Sequence, residues 1–360
     1  MRPDVFVAAR VDEQERPWHI RPVSAPDHAG SFPPAADATA RHPERDRRRF
    51  AAWSAALLGA TLFAILFGAV VRITGSGAGC GQHWPSCQGE LAHLPRTVET
   101  AIELTHRVTS ALTGLGAFLL AWPAWRLFPR AHPVRRAVAV ACAFMIIEGL
   151  IGAALVRFAW VGDNASVGRA LVVPLHLVST SALSGAVALA AWWSRNGVRG
   201  ASSGDRAARR LVWLGMLGIL LTSGLGAVTA LGDTLYPVVA PLSQRLVSDQ
   251  REAAHFLERL RVLHPVVAVA VSVFLFAALP RVRDRNRSQI VGRGVTASIA
   301  LTASQLAVGV LNVLLGAPGW MQVVHLLVAC LLWISLVILA AELGAFSGSP
   351  ERAAGAAAPA

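Results

Sequence analysis

The sequence predicts an all-α integral membrane protein with eight transmembrane helices, arranged as two tandem, parallel-repeat four-helix bundles. Of the 360 residues, 54% are hydrophobic and only 15% are charged, and the apolar residues stand in long blocks. Arginines fill every second connection between these blocks, and a histidine recurs near the start of alternate blocks. Long apolar blocks favour a membrane bundle, because a soluble core does not need them.

Eight apolar blocks are long enough to cross a membrane. Each has roughly 20 residues, which is the length that a hydrocarbon core about 30 Å thick requires. The blocks cover residues 51–71, 104–125, 136–156, 171–193, 211–231, 262–280, 294–315 and 320–342. The first block follows Arg47, Arg48 and Arg49, and we interpret it as an uncleaved anchor rather than a signal peptide.

The arginines predict the orientation of the chain. All 33 basic residues are arginines, and those between spans cluster in the second, fourth and sixth connections. Basic connections lie on the cytoplasmic side of a cell membrane, so both termini are expected in the cytoplasm. The formal charge of +12 is then accounted for by anionic lipid, and nucleic acid is not expected as a partner.

The spans divide the chain into five regions. We expect disordered tails at both ends because these segments are polar or rich in alanine and have no apolar period. In chain order, the regions are a cytoplasmic tail (1–49), an N-terminal four-helix bundle (50–195), a cytoplasmic linker (196–210), a C-terminal four-helix bundle (211–342) and a second tail (343–360). Residues 242–261 have a helical period with alternating charge and are predicted to extend the sixth helix outward as an amphipathic lid, whose partner the sequence leaves open.

The two halves resemble each other, which suggests a duplicated unit. Gly68 in the first helix is matched by Gly226 in the fifth, each followed by Ala-Val. Glu148 and Gly152 in the third helix are matched by Gln305 and Gly309 in the seventh, at the same spacing. One histidine stands near the start of each even-numbered helix, and these are His106, His176, His264 and His325.

These four histidines are candidate ligands of haem iron. The even-numbered helices all enter from the outer side, so their histidines are expected at similar depth. A neutral imidazole in hydrocarbon is costly unless it is paired or ligated, and two imidazoles from facing helices can occupy both axial positions of one haem iron. This predicts two sites, His106 with His176 and His264 with His325. In the alternative interpretation each histidine only hydrogen-bonds a hydroxyl or a backbone carbonyl. Zinc is disfavoured because the C-terminal half offers no nearby Cys, Asp or Glu.

A glycine-rich loop with two cysteines, Cys80 and Cys87, follows the first helix on the outer, oxidising side. A disulfide between them is sterically plausible. Such a disulfide would be either a staple that closes the loop or a redox-active dithiol near a cofactor, and the residues favour neither.

The loop from Arg72 to Gly89, the segment Glu103-Leu104-Thr105-His106-Arg107 and the spaced histidines together resemble the haem A synthase family, in its cysteine-bearing type. The resemblance covers residues 50–342. It implies an oxidoreductase that converts the C8 methyl group of haem O to a formyl group by successive hydroxylations with water-derived oxygen, and that supplies haem A to terminal oxidases. It also implies haem b in the C-terminal half and haem O as substrate in the N-terminal half.

The resemblance extends to partners and catalytic residues. The implied partners are haem O, haem A, membrane lipid, haem O synthase, an electron acceptor and oxidase assembly factors, with a homo-oligomer as a further candidate. Glu103 and His106 are implied to be catalytic; they lie one helical turn apart, and the carboxylate would accept a proton or stabilise positive charge. The alternative is a carboxylate favoured by the helix dipole. Arg261 holds the same position relative to His264, and this divergence assigns catalysis to the N-terminal half.

Three arginines near the outer boundary are candidate contacts for haem propionates: Arg72, Arg107 and Arg157. In the alternative interpretation, these side chains only extend from the ends of the spans to the membrane–water interface, as arginines commonly do. Glu148 is predicted to be buried, with pairing to an arginine and proton handling both left open.

Two other functions compete with this prediction. A di-haem electron-transfer cytochrome would use the same histidines without substrate oxidation and would not need Glu103. A transporter has weaker support because no discontinuous helix or midplane charge cluster is evident. Haem O synthase itself would need Asp-rich diphosphate motifs, which the sequence lacks.

Overall fold

The computed structural model describes residues 38–91, 93–200, 206–237, 251 and 254–346. Within these residues it contains eight long helices: α1 (Ala38–Ile73), α2 (Val98–Leu127), α3 (Pro133–Arg157), α4 (Val167–Asn196), α5 (Arg206–Leu235), α6 (Phe256–Arg285), α7 (Gln289–Leu314) and α8 (Gly319–Glu342). All eight, with α1 taken from Glu44, are long and apolar enough to cross a membrane. The predicted all-helical class with eight spans is confirmed.

The helix starts follow from local capping. The hydroxyl of Thr97 accepts a hydrogen bond from the backbone N–H of Thr100 at 3.2 Å and begins α2. His255 and Glu258 form a capping box at the start of α6, with the carboxylate 2.8 Å from the His255 amide. These side chains satisfy amide groups that have no partner within a helix. The first turns of α2 and α6 are therefore well defined.

The segment predicted as an amphipathic lid is described only in part. Residues 242–250, 252 and 253 lie outside the described residues. From Phe256 onward the segment is helical: Phe256–Arg259 is joined by a 3₁₀ turn, Leu260–Val262, to Leu263–Arg285. This last part of the segment therefore continues directly into α6, as predicted.

Three predicted boundaries require correction. Residues 38–49, assigned to a disordered tail, belong to α1, because extending an existing helix costs less than starting one, and Glu44 and Arg48 form an i,i+4 ion pair at 3.6 Å. The linker is shorter than 196–210, since α4 ends at Asn196 and α5 begins at Arg206.

The chain also stays packed beyond 342: Leu343 is buried, and the ring of Phe346 lies 5.4 Å from that of Trp213. Residues 1–37 and 347–360 lie outside the described residues.

The two predicted halves meet where α4 and α8 pack together. The indole N–H of Trp333 on α8 donates to the carbonyl of Ser181 on α4 at 2.6 Å. An added Cβ at Gly185 would lie 3.3 Å from the same indole nitrogen, so this contact uses the small size of glycine. At the other end of these helices, Glu342 accepts from the indole of Trp192 and pairs with Arg199, both at 2.7 Å. A mostly buried carboxylate with two donors holds the helix ends together.

The outward faces are apolar. Large side chains such as Phe63, Leu217 and Val273 are more than half exposed, which is expected for surfaces that meet lipid. At the arginine-rich end of α2, the guanidinium of Arg126 lies 4.5 Å from the ring centre of Trp122. Aromatic and basic side chains of this kind are typical of a membrane interface.

Candidate functional site

The histidines of the C-terminal half face each other. The ring centres of His264 on α6 and His325 on α8 lie 6.2 Å apart, with their planes at 90°. Each ring lies against a glycine of a neighbouring helix. An added Cβ would come 2.9 Å from Cε1 of His264 at Gly226 and 3.1 Å from Cε1 of His325 at Gly309. These glycines therefore leave the space that the two rings occupy.

The hydrogen bonds of this pair leave ring nitrogens available. Nδ1 of His264 lies 3.1 Å from the carbonyl oxygen of Thr222. Because a carbonyl only accepts, Nδ1 carries the proton and Nε2 keeps its lone pair. On the other side, Nε2 of His325 lies 3.2 Å from Nε2 of Gln305. Nδ1 of His325 and Oε1 of Gln305 are buried and have no hydrogen-bond partner among the described residues.

The N-terminal half has related contacts that differ in several details. His106 on α2 lies against Gly68 on α1, where an added Cβ would be 3.0 Å from Cε1. Nδ1 of His176 on α4 lies 2.6 Å from Oε2 of Glu148 on α3. His106 and His176 are close enough to interact electrostatically. Nδ1 of His106, Nδ1 of His176 and Oε1 of Glu148 are buried without a hydrogen bond in the described part of the chain, so the contact of His176 with Glu148 is an ion-pair distance.

The side chains present fit a haem held by two histidines. Imidazole nitrogens bind metals at about 2 Å, which places the centres of two rings on one metal roughly 6 Å apart. The 6.2 Å between His264 and His325 agrees with this separation. The buried ring nitrogens and carboxylate or amide oxygens without partners also indicate a missing polar group, since buried polar atoms in proteins are nearly always paired.

Glu103 is bound to the cysteine loop. Its side chain is buried, and Oε2 accepts a hydrogen bond from the backbone N–H of Cys80 at 2.7 Å. Oε1 is paired with the guanidinium of Arg107, which in turn donates to the carbonyl oxygens of His83 at 2.6 Å and Ser86 at 2.7 Å. The carboxylate expected beside the imidazole or the porphyrin edge therefore anchors the loop one helical turn from His106.

The loop itself is closed by a disulfide and docked on α2. Cys80 and Cys87 are joined and buried. Gly79 lies so close to α2 that an added Cβ would be 2.6 Å from the backbone of Glu99, and its carbonyl accepts from the hydroxyl of Thr100 at 2.8 Å. This close approach requires glycine. Trp84 reaches from the loop toward α3, where its indole nitrogen is 4.0 Å from the Cβ position of Gly152.

Arg261 has the corresponding role in the other half. Its buried guanidinium donates to the carbonyl oxygens of Gly232 at 2.8 Å and Tyr236 at 2.6 Å, and Nε lies 3.1 Å from Oδ1 of Asp233. Glu103 thus holds the loop that follows α1, and Arg261 holds the last turn of α5 together with Tyr236. A carboxylate accepts from an amide, whereas a guanidinium donates to carbonyls, so the opposite charges serve one structural purpose. Sequence reasoning attributed this divergence to chemistry and missed the shared anchoring contact.

The three candidate propionate contacts lie in different surroundings. Arg72 donates to the carbonyl of Ala230 at 2.7 Å, to Thr234 at 2.5 Å and to Gln322 at 2.8 Å. It therefore joins α1 to α5 and α8 across the two halves, which no sequence pattern indicated. The guanidinium of Arg107 is used by Glu103 and the loop. Arg157 is exposed at the end of α3, and its side chain has no recorded hydrogen bond to the described residues.

Comparison with known proteins gives three informative relatives. Protoheme IX farnesyltransferase of Thermus thermophilus is 44% identical over 292 residues, which is 81% of this chain and 48% of the relative. The chain thus spans about half the length of that protein. Haem A synthase of Geobacillus kaustophilus is 26% identical over 308 residues, covering 84% of this chain and 95% of the relative. Haem A synthase of Bacillus mycoides is 36% identical over 110 residues, covering 30% of this chain and 35% of the relative.

A family model agrees with these relatives. The model for the cytochrome oxidase assembly proteins COX15-CtaA matches residues 51–337, which include all eight apolar spans almost completely. With its eight apolar helices, the chain is a multi-pass membrane protein that belongs to the COX15-CtaA family of cytochrome oxidase assembly proteins.

Proposed function

We propose that this chain is a haem A synthase, which oxidises the C8 methyl group of haem O to a formyl group by successive hydroxylations. The observation that carries the proposal is the recurrence of histidine pairs in the helices of one membrane protein. In three of the four histidines, the ring lies against a glycine. Membership of the COX15-CtaA family and the two relatives named haem A synthase support it.

The two halves have different roles in this proposal. His106 and His176 take haem O, whereas His264 and His325 hold a resident haem b. The asymmetry of the halves supports this division. Glu148 contacts His176, and the disulfide loop is bound to Glu103 one helical turn from His106. Gln305 and Arg261 stand at the positions of the second half that match Glu148 and Glu103. Haem b supplies an iron that can take up and pass on single electrons.

Glu103 and His106 are the proposed catalytic residues. His106 orients the substrate from α2, and the carboxylate one turn away would accept a proton as the methyl group is oxidised. Its contact with the Cys80 amide keeps the disulfide loop at the same turn of α2. The loop would then cover the substrate and exclude water from the outer side.

Location and partners follow from the same proposal. The arginine-rich connections support a cell-membrane location with both termini in the cytoplasm. Haem O synthase is the proposed supplier of substrate, alongside an electron acceptor and oxidase assembly factors.

The test is haem extraction. The full chain is expressed in a host that makes haem O but has no haem A synthase of its own, and the haems are separated by chromatography. Haem A should appear only when the chain is present. Bound haem without any haem A would instead favour the di-haem electron-transfer cytochrome and overturn the proposal.

A further inference from the structure

Glu148 contacts a proposed haem ligand. It lies in α3, its side chain is 9% exposed, and Oε2 is 2.6 Å from Nδ1 of His176. No arginine is recorded within ion-pair distance of this carboxylate among the described residues. The histidine is thus the partner that the sequence left open.

The second half provides an internal comparison. Gln305 occupies the matching position of α7, four residues before a matching glycine. Its amide nitrogen lies 3.2 Å from Nε2 of His325, whereas Glu148 lies against Nδ1 of His176. Glutamine and glutamate have almost the same shape. The two histidine pairs therefore differ at this contact by one negative charge and by the ring nitrogen that the side chain meets.

A carboxylate next to an imidazole N–H has two physical effects. It holds the proton on Nδ1, so that Nε2 presents its lone pair, and it orients the ring. Its negative charge also makes the imidazole a stronger electron donor to a metal. A stronger donor stabilises ferric relative to ferrous iron and lowers the reduction potential.

We propose that Glu148 is a positioning residue that orients His176 and makes it a stronger donor than His325. The haem bound by His106 and His176 then has a lower reduction potential than the haem bound by His264 and His325. This inference rests on the proposed function for the assignment of the two histidine pairs to haem. Its consequence is that an electron leaving the first site moves to the second site, which is reduced as the first is oxidised.

The test is a redox titration of the purified full-length chain, followed by the absorption of its haems. His176→Ala identifies the component that belongs to the first site, because it removes that component. Glu148→Gln should raise the potential of this component and leave the other unchanged. A tenfold loss of preference for ferric over ferrous haem corresponds to about 59 mV for a one-electron couple. Glu148→Asp, which keeps the charge, should retain most of the low potential.

The reciprocal variant keeps the inference testable if Glu148→Gln does not fold. Gln305→Glu should lower the potential of the second component alone. Unchanged potentials in either folded variant, or an equal shift of both components, would overturn the role of Glu148.

The same measurements separate the two proposals. Haem A formation together with an unmoved potential in Glu148→Gln would reject this inference only. The expected shift without any haem A formation would reject the proposed function only. Full retention of both haem components in His176→Ala would reject the histidine assignment, and with it this inference, whatever the enzyme activity.

Discussion

The carboxylate of Glu103 accepts a hydrogen bond from the backbone N–H of Cys80 at 2.7 Å. This bond ties the disulfide loop to α2 one helical turn before His106. Because the partners are an amide and a carboxylate in a buried site, the bond is charge-assisted and stronger than a neutral one. Together with the contacts of Thr100 and Arg107, this bond links the position of the loop to the helix that carries the first histidine.

The first prediction concerns the carboxylate itself. Glu103→Ala and Glu103→Gln should both abolish haem A formation while haem b remains bound. The glutamine variant keeps an oxygen that can accept from Cys80, so it separates proton acceptance from loop anchoring. The measurement is haem A by chromatography and haem b by its reduced absorption spectrum.

Glu99→Gln is the matched control, since Glu99 is an exposed carboxylate on the first turn of the same helix, and it should retain conversion. If Glu103→Gln forms haem A at the wild-type level, Glu103 anchors the loop but does not accept a proton. If Glu103→Ala also forms haem A at the wild-type level, conversion needs neither proton acceptance by Glu103 nor its anchoring of the loop.

The second prediction concerns the docking of the loop. Gly79→Ala should separate the loop from α2, because the new Cβ would meet the backbone of Glu99 at 2.6 Å. Overpacking of this kind costs about 1–3 kcal/mol, measurable as a loss of unfolding free energy in detergent. Gly59→Ala is the control, since nothing lies within 4 Å of its Cβ position. Equal stability of the two variants would show that the loop is not held there.

The third prediction concerns the glycine next to His264. Gly226→Ala should displace the imidazole, because the added Cβ would come 2.9 Å from Cε1. Since changes in the surroundings of a ligand typically weaken metal binding about 10–100-fold, the purified protein should contain less haem b. His264→Ala should deplete haem b fully and sets the lower limit of the assay.

Gly292→Ala in the same half is the matched control because its Cβ position has no neighbour within 4 Å. Haem b is quantified against protein after purification. A full haem b content in Gly226→Ala would contradict ligation by His264 in the observed ring position.

The fourth prediction concerns Arg72. Arg72→Met should lower the free energy of unfolding by roughly 2 kcal/mol, because hydrogen bonds from a charged donor are lost and their partly buried acceptors remain. Arg157→Met should change stability little, since that side chain is exposed. The measurement is denaturant unfolding in detergent. If Arg72 instead binds a haem propionate, Arg72→Met would keep the wild-type free energy of unfolding and would lose haem.

The sequence predicts the spans well because their cause is local. An apolar run of sufficient length satisfies its own backbone as a helix and its side chains in lipid, and the eight spans were confirmed. The helix ends were less predictable. Residues 38–49 extend α1 although they are polar, since propagation of a helix does not require burial. Leu343 and Phe346 pack against residues of other helices, which their neighbours in sequence do not indicate.

The candidate site divides in the same way. Histidine spacing and the matched glycines could be read from the sequence, because a repeated helix places them at repeated positions. The contact of Glu148 with His176, the bond of Glu103 to Cys80 and the bridge from Arg72 to Gln322 could not. Arg72 and Gln322 are 250 positions apart, and Glu103 and Cys80 are 23 apart across a loop. No periodicity specifies such pairs.

The sequence by itself determined an eight-span helical protein with a histidine near the start of every second helix, because helix formation in lipid depends on local composition. Only the tertiary structure decided which side chain each of these histidines meets. A carboxylate meets His176 and an amide meets His325. The packing of one helix against another makes that choice, since it sets which faces touch.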